Sequence, residues 1–194
     1  MFKRKILSKL EAWKQDERHK PLILRGARQV GKTTVVNEFG SQFDNYLYFN
    51  LEISESVRLF EMDIPLNDLV NMLFASLGKS QKEGSTLIFI DEIQNSPKTI
   101  ALLRYFYEQR PDLYVIAAGS LLENLVDVNV SFPVGRVMYL ALRPCSFYEF
   151  LGAIGKNNLL TILSQKAEYS IAFHEQLMHQ FNQYTIIGGM PEAV

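Results

Sequence analysis

Lys32 and Thr33 stand directly behind Gly31, and a second glycine, Gly26, lies five positions earlier. The stretch Gly26-Ala27-Arg28-Gln29-Val30-Gly31-Lys32-Thr33-Thr34 fits the spacing G-x-x-x-x-G-K-[ST]. Glycines at both ends let the backbone curl into a ring whose N–H groups point inward, where side chains would block an approaching anion. A lysine there offers a point charge to phosphate oxygens, and a threonine hydroxyl can reach the Mg²⁺ that travels with a nucleoside triphosphate. The spacing therefore predicts a cradle for β- and γ-phosphates.

A second set of groups comes from Thr86-Leu87-Ile88-Phe89-Ile90-Asp91-Glu92. A continuous apolar run ending in an acid is the pattern of a strand buried on both faces, its carboxylate emerging at the C-terminal edge of a parallel sheet. Asp91 is placed there to hold Mg²⁺ through water, and Glu92 to polarise an attacking water. Two adjacent acids after a strand are common in plain loops, so this signal takes its weight from the glycine-rich loop. Ser120 follows a further buried strand, Leu113 to Ala118, and Gly119. Should that strand lie between those of Lys32 and Asp91, the Ser120 hydroxyl could orient the attacking water. The alternative is Ser120 as the N-cap of the next helix, and both readings stand.

The elements that must hold these groups alternate. Pro21 to Arg25 is a short apolar run before the loop, and Val35, Val36 and Phe39 recur at helical spacing after it, with Gly40 as a stop. Strand, loop, helix is the order that adds a helix N-terminus to the phosphate site. Tyr46-Leu47-Tyr48-Phe49 reads as a second strand, Ser54 as the cap of a short helix through Phe60, and Pro65 to Leu77 as a strong helix before Gly78. Ser96-Pro97 caps a helix carrying Ile100, Leu103, Phe106 and Tyr107 inward, and Val137 to Leu142 is the fifth strand. Such alternation predicts an α/β fold, a parallel sheet with helices on both faces. Ser146-Phe147-Tyr148-Glu149 is a capping box, which makes Glu149 structural. The pattern from Asn157 onward is helical. His174 and His179 are five apart, on different helix faces, which argues against a metal pair.

Composition narrows the class. The chain of 194 residues is 47% hydrophobic, enough for one domain with a real core, and its formal net charge of −1 does not advertise nucleic acid or an anionic membrane. Cys145 is the only cysteine, so no intramolecular disulfide forms, and a reducing cytoplasm is the expected setting. No apolar run approaches the roughly 18 to 20 residues of a transmembrane segment. Seven of the first twenty residues are Lys or Arg, while Phe2, Ile6, Leu10 and Trp13 repeat every three to four. That amphipathic helix is read as docking its apolar stripe on the domain, in preference to anchoring on a membrane or nucleic acid, because acids are mixed into it.

Gly26 to Thr34, Asp91-Glu92-Ile93-Gln94, Ala118-Gly119-Ser120, Gly135-Arg136, Pro144 to Leu151 and Gly188-Gly189-Met190-Pro191 together resemble the AAA+-type P-loop ATPases of bacteria and archaea. The resemblance extends over nearly the whole chain. It implies a three-layer P-loop fold with a five-stranded parallel sheet in the order 5-1-4-3-2, and Ser120 as sensor of the γ-phosphate. Family members usually carry a C-terminal domain of unknown function and continue well past the Gly-Gly-Met-Pro turn, so a fragment is expected here. The chain divides into an ATPase domain over 1–155, with its N-terminal helix, and a helical segment over 156–194.

The expected activity is Mg²⁺-dependent ATP hydrolysis that drives or gates a conformational change, with ATP and ADP as ligands. Lys32 and Thr33 serve phosphates and metal, Asp91 the metal, and Glu92 is the base. ATP is preferred to GTP because no Asn-Lys-x-Asp stretch occurs. Arg136 is the first candidate for an arginine finger, which would imply a protein partner or self-association; Arg28 and Arg104 are weaker candidates. Two rivals stand beside this reading. One is a P-loop kinase for a small molecule, disfavoured by a glutamate next to the metal aspartate. The other is a nucleotide-gated protein- or DNA-binding module with little turnover.

Overall fold

A computed structural model of the chain describes residues 4–120, 133, 135–165 and 170–194. Helix α1 (Ile6–Lys14) leads into β1 (Leu22–Arg25), α2 (Lys32–Gly40), β2 (Asn45–Asn50), α3 (Ser54–Phe60), α4 (Leu66–Ser76) and β3 (Thr86–Asp91). A 3₁₀ turn (Ile93–Asn95) precedes α5 (Pro97–Gln109), β4 (Leu113–Gly119), β5 (Met138–Ala141), α6 (Phe147–Ala153), α7 (Asn157–Gln165) and α8 (Ile171–Ile187). The five strands form one parallel sheet in the order β2-β3-β4-β1-β5, the order that the family resemblance implies.

Successive side chains of a strand point to opposite faces, and here each face has its own core. Ile23, Ile88, Ile90, Val115 and Ala117 meet α3, α4 and α5 on one side. Leu22, Leu24, Leu87, Phe89, Ile116 and Ala118 meet α1 and α2 on the other. Central β3 is buried along its whole length, whereas edge strand β2 alternates and edge strand β5 is largely open. The uninterrupted apolar runs thus belong to strands covered on both faces.

Helix α1 docks on the domain. Ile6, Leu7, Leu10 and Trp13 are buried, and the Trp13 indole N–H donates to the Lys20 carbonyl at 2.8 Å. Its ring also meets Tyr114 edge-on, with centroids 5.5 Å apart. Among the described residues, no helix is long and apolar enough to cross a membrane. Ser54 does not cap α3: Ile53 occupies the N-cap, and Ser54 is the first helical residue. Ser96 does cap α5, accepting the Thr99 N–H.

The capping box at α6 forms as expected, with Ser146 and Glu149 exchanging hydrogen bonds. Helices α6, α7 and α8 share a small cluster of Leu151, Leu159 and Leu177. On α8, Leu177 is buried, while Ile171 and Met178 of the same pattern are exposed. After α8 the chain returns to the sheet. The Cys145 N–H donates to the Gly189 carbonyl at 2.6 Å, and the Tyr184 hydroxyl donates to the Cys145 carbonyl at 2.7 Å. A Cβ on Gly189 would sit 2.3 Å from the Cys145 carbonyl oxygen, so only glycine permits this approach.

Because Leu10 is fully buried between α1 and the sheet, Leu10→Ala should cost about 2–5 kcal/mol of stability. Urea denaturation followed by the fluorescence of Trp13, the only tryptophan, measures this. A loss below about 0.5 kcal/mol, as at a surface position, would show that α1 does not dock.

Candidate functional site

The glycine-rich loop leaves β1 at its carboxyl end. Gln29 and Gly31 both adopt the left-handed region, at φ 61° and 91°, which tightens the loop into a ring. Gly26 is required by crowding: a Cβ there would lie 2.5 Å from the Leu142 carbonyl oxygen. Helix α2 then starts at Lys32 with Gly31 at its N-cap, no side-chain cap and no acid in its first turn. Its first N–H groups are left for an anion.

Lys32 is 6% exposed and donates from Nζ to the Gly26 and Ala27 carbonyls, both at 2.9 Å. Burial pushes its ammonium below the ordinary value against the pull of Glu92 and Asp91, and Arg28 adds to the fall. Thr33, in the first turn, donates from Oγ1 to Asp91 Oδ2 at 2.6 Å. This contact joins the loop to the acid of β3. Asp91 is 3% exposed, and its other oxygen accepts the Glu92 N–H at 3.0 Å. Burial raises the Asp91 carboxyl above the usual range; the hydrogen bonds from Thr33 and Glu92 oppose the rise.

Glu92 is left-handed, at φ 52° and ψ 44°, an uncommon conformation for a residue with a Cβ. Its carboxylate accepts a hydrogen bond from the Gln94 side-chain amide. Glu92, Glu52, Pro191 and Glu192 line a cleft of about 440 Å³ opposite Arg28, Gln29 and the start of α2. Ser120 follows β4, whose register pairs Gly119 with Arg25 and Ala117 with Ile90. It therefore leaves the sheet between the two strands that carry the loop and the acids. Its Oγ is buried with no hydrogen-bond partner among the described residues, as is Oε1 of Gln94. The N-cap alternative for Ser120 concerns a helix over residues that lie outside the described ones.

The sheet brings Lys32, Thr33, Thr34, Asp91, Glu92 and Ser120 to one edge. It does not bring Arg136 there. Arg136 precedes β5 at the amino edge of the sheet, where Met138 pairs with Leu22. Its Nε donates to Glu108 Oε1 at 3.0 Å, and Arg104 Nε donates to the same oxygen at 2.9 Å. A residue before a parallel strand emerges at the opposite edge from one after it, so Arg136 does not reach the cleft of its own chain. Arg28 does line the cleft. A larger cleft, about 760 Å³, lies between α1 and α6–α7. It holds no strand-end acids and no glycine ring, so chemistry and not size selects the site.

The arrangement fits a nucleotide with its metal. The uncapped start of α2 and the Ser120 hydroxyl, which has no partner among the described residues, are groups that phosphates or the water beside them would satisfy. Thr33 and Asp91 can supply the few protein ligands that Mg²⁺ takes beside phosphate and water. Among the described residues no group of three or more His, Cys, Asp and Glu could hold a metal by itself. Sequence reasoning missed Gln94 as a partner of Glu92, although the spacing of two was readable. It also missed Glu52 and Glu192, which reach the cleft only through the tertiary path.

Comparisons with known proteins agree with this geometry. An uncharacterized protein of Methanocaldococcus jannaschii is 22% identical over 97% of this chain and 42% of its own length. The Walker-type ATPase of Pyrococcus abyssi superposes with a TM-score of 0.55 at 18% identity, over 98% of this chain and 65% of that one. Drosophila ORC bound to DNA contains the same fold, with a TM-score of 0.51 at 16% identity over 82% of this chain and 48% of that one. The chain thus spans less than two thirds of the length of each. A family model described as an AAA domain matches residues 18–151, more than half of the chain, and together with the phosphate-loop geometry this makes the chain a member of the AAA domain family of P-loop NTPases.

Proposed function

We propose that the chain is a Mg²⁺-dependent ATPase in which ATP turnover drives or gates a conformational change. The observation that carries the reading is the 2.6 Å hydrogen bond from Thr33 to Asp91, which joins the phosphate loop and the acidic strand end beside Glu92. Lys32 and the N–H groups of the loop bind the phosphates. Thr33 and Asp91 would hold a magnesium ion, which would neutralise charge on the phosphate oxygens. Glu92 takes the proton of the attacking water, and Ser120 orients that water beside the γ-phosphate. The Gln94 amide fixes the Glu92 carboxylate, leaving its second oxygen for the water.

A glutamate next to the metal aspartate supports water as acceptor over a small-molecule alcohol. A cytoplasmic setting goes with this reading. Arg136, at the far edge of the sheet in its own chain, serves as a finger in the cleft of another copy.

Phosphate release from MgATP by the wild type and by Glu92→Gln tests the proposal, with ATP binding measured in both. The variant should bind ATP and turn over on the order of a hundredfold more slowly, the usual loss for a positioned general base. Binding without turnover in both proteins would sink the hydrolase and favour the nucleotide-gated module. In a parallel titration, Thr33→Val should raise the Mg²⁺ concentration for half-maximal rate by about tenfold or more. An unchanged midpoint would remove Thr33 from the metal site.

A further inference from the structure

Arg4 is 5% exposed, although it lies near the start of the chain and carries a full charge. A buried guanidinium is tolerated only where its donors are met, and here three separate segments meet them. Nη1 donates to the Val30 carbonyl in the phosphate loop at 3.1 Å, and Nη2 to the Arg143 carbonyl, after β5, at 2.7 Å. Nε donates to Glu149 Oε1 at 3.1 Å. Glu149 is itself fixed, accepting the Lys5 N–H at 2.9 Å and the Ser146 N–H at 2.8 Å.

The contact with Val30 has a consequence set by peptide geometry. In a planar trans peptide the carbonyl of one residue and the N–H of the next point in opposite directions. Arg4 lines the cleft between α1 and α6–α7 and is not among the residues that line the candidate nucleotide cleft. Holding the Val30 carbonyl on Arg4 turns the Gly31 N–H away from Arg4. Gly31, at φ 91°, could otherwise let this peptide turn over at small cost, which would aim a carbonyl oxygen at an anion.

We infer that Arg4 is a positioning residue for the phosphate site: it locks the Val30–Gly31 peptide with its N–H facing the phosphates and ties that peptide, through Arg143 and Glu149, to the start of α6. Nucleotide bound at Gly31 is then felt by the helices that follow. The same junction holds the C-terminal turn through Cys145 and Gly189, and that turn sets Pro191 within 3.7 Å of where a Gly31 Cβ would be. The inference rests on the phosphate-binding reading of the loop.

The test uses the full chain, its Arg4→Met and Arg4→Lys variants, MgADP as a ligand that does not turn over, and temperatures well below each melting point. Calorimetric titration gives the affinity, and the amide shift of Gly31 reports its hydrogen bond. Arg4→Met should bind MgADP roughly tenfold more weakly, with a smaller ligand-induced shift at Gly31. Arg4→Lys, which cannot span three acceptors, should fall between. A folded Arg4→Met with wild-type affinity and an unchanged Gly31 shift would reduce Arg4 to a staple of the N-terminus and overturn the inference. Should Arg4→Met not fold, the same two readouts on Arg4→Lys decide, unchanged values again overturning it. A wild type that binds neither MgADP nor MgATP would remove the phosphate-site reading and this role together, whereas intact wild-type binding with unaltered variants removes this role alone.

Discussion

The site depends on the parallel register of β1, β4 and β3. With all three strands running the same way, their carboxyl ends lie side by side and whatever residue follows each of them arrives at one edge. Gly26 follows β1, Ser120 follows β4, and Asp91 and Glu92 close β3. Reversing any one strand would carry its functional residue to the opposite edge. Arg136 marks that far edge because it precedes its strand.

Electrostatics then discipline the edge. Lys32 and Asp91 are both nearly buried, and each is met by hydrogen bonds before any ligand is considered. An uncompensated charge at such depth would cost several kcal/mol. The shifts agree with that strain: burial lowers the Lys32 value and raises that of Asp91. A cation and an acid buried side by side gain from a partner that brings phosphate and a divalent ion together. Arg4 follows the same rule beside the loop, a buried charge whose donors tie three segments.

The helices after β5 are joined to the loop by more than proximity. Glu149 caps α6 and also binds Arg4, while Cys145 receives the C-terminal turn. Among the described residues, their shared cluster of Leu151, Leu159 and Leu177 is small beside the two that sandwich the sheet.

Much was readable from local pattern. The loop spacing, the buried run ending in Asp91-Glu92, the α1 stripe and the caps at Ser96 and Ser146 each follow from a few neighbouring residues, and the observed elements fall where those signals lie. Ser54 failed as a cap because Ile53 had the extended backbone that an N-cap needs. By itself the sequence determined the phosphate-binding chemistry and the α/β alternation, because the spacing of glycines and the period of apolar residues act over short distances. The resemblance to a known family added the strand order. Only the tertiary structure decided that Gln94 clamps Glu92, that Arg136 faces away, that Glu52 and Glu192 enter the cleft, and that Arg4 holds the Val30 carbonyl of the loop. Those contacts join segments whose separation along the chain bears no relation to their distance in space, and they form only once burial of both sheet faces has fixed where each segment passes.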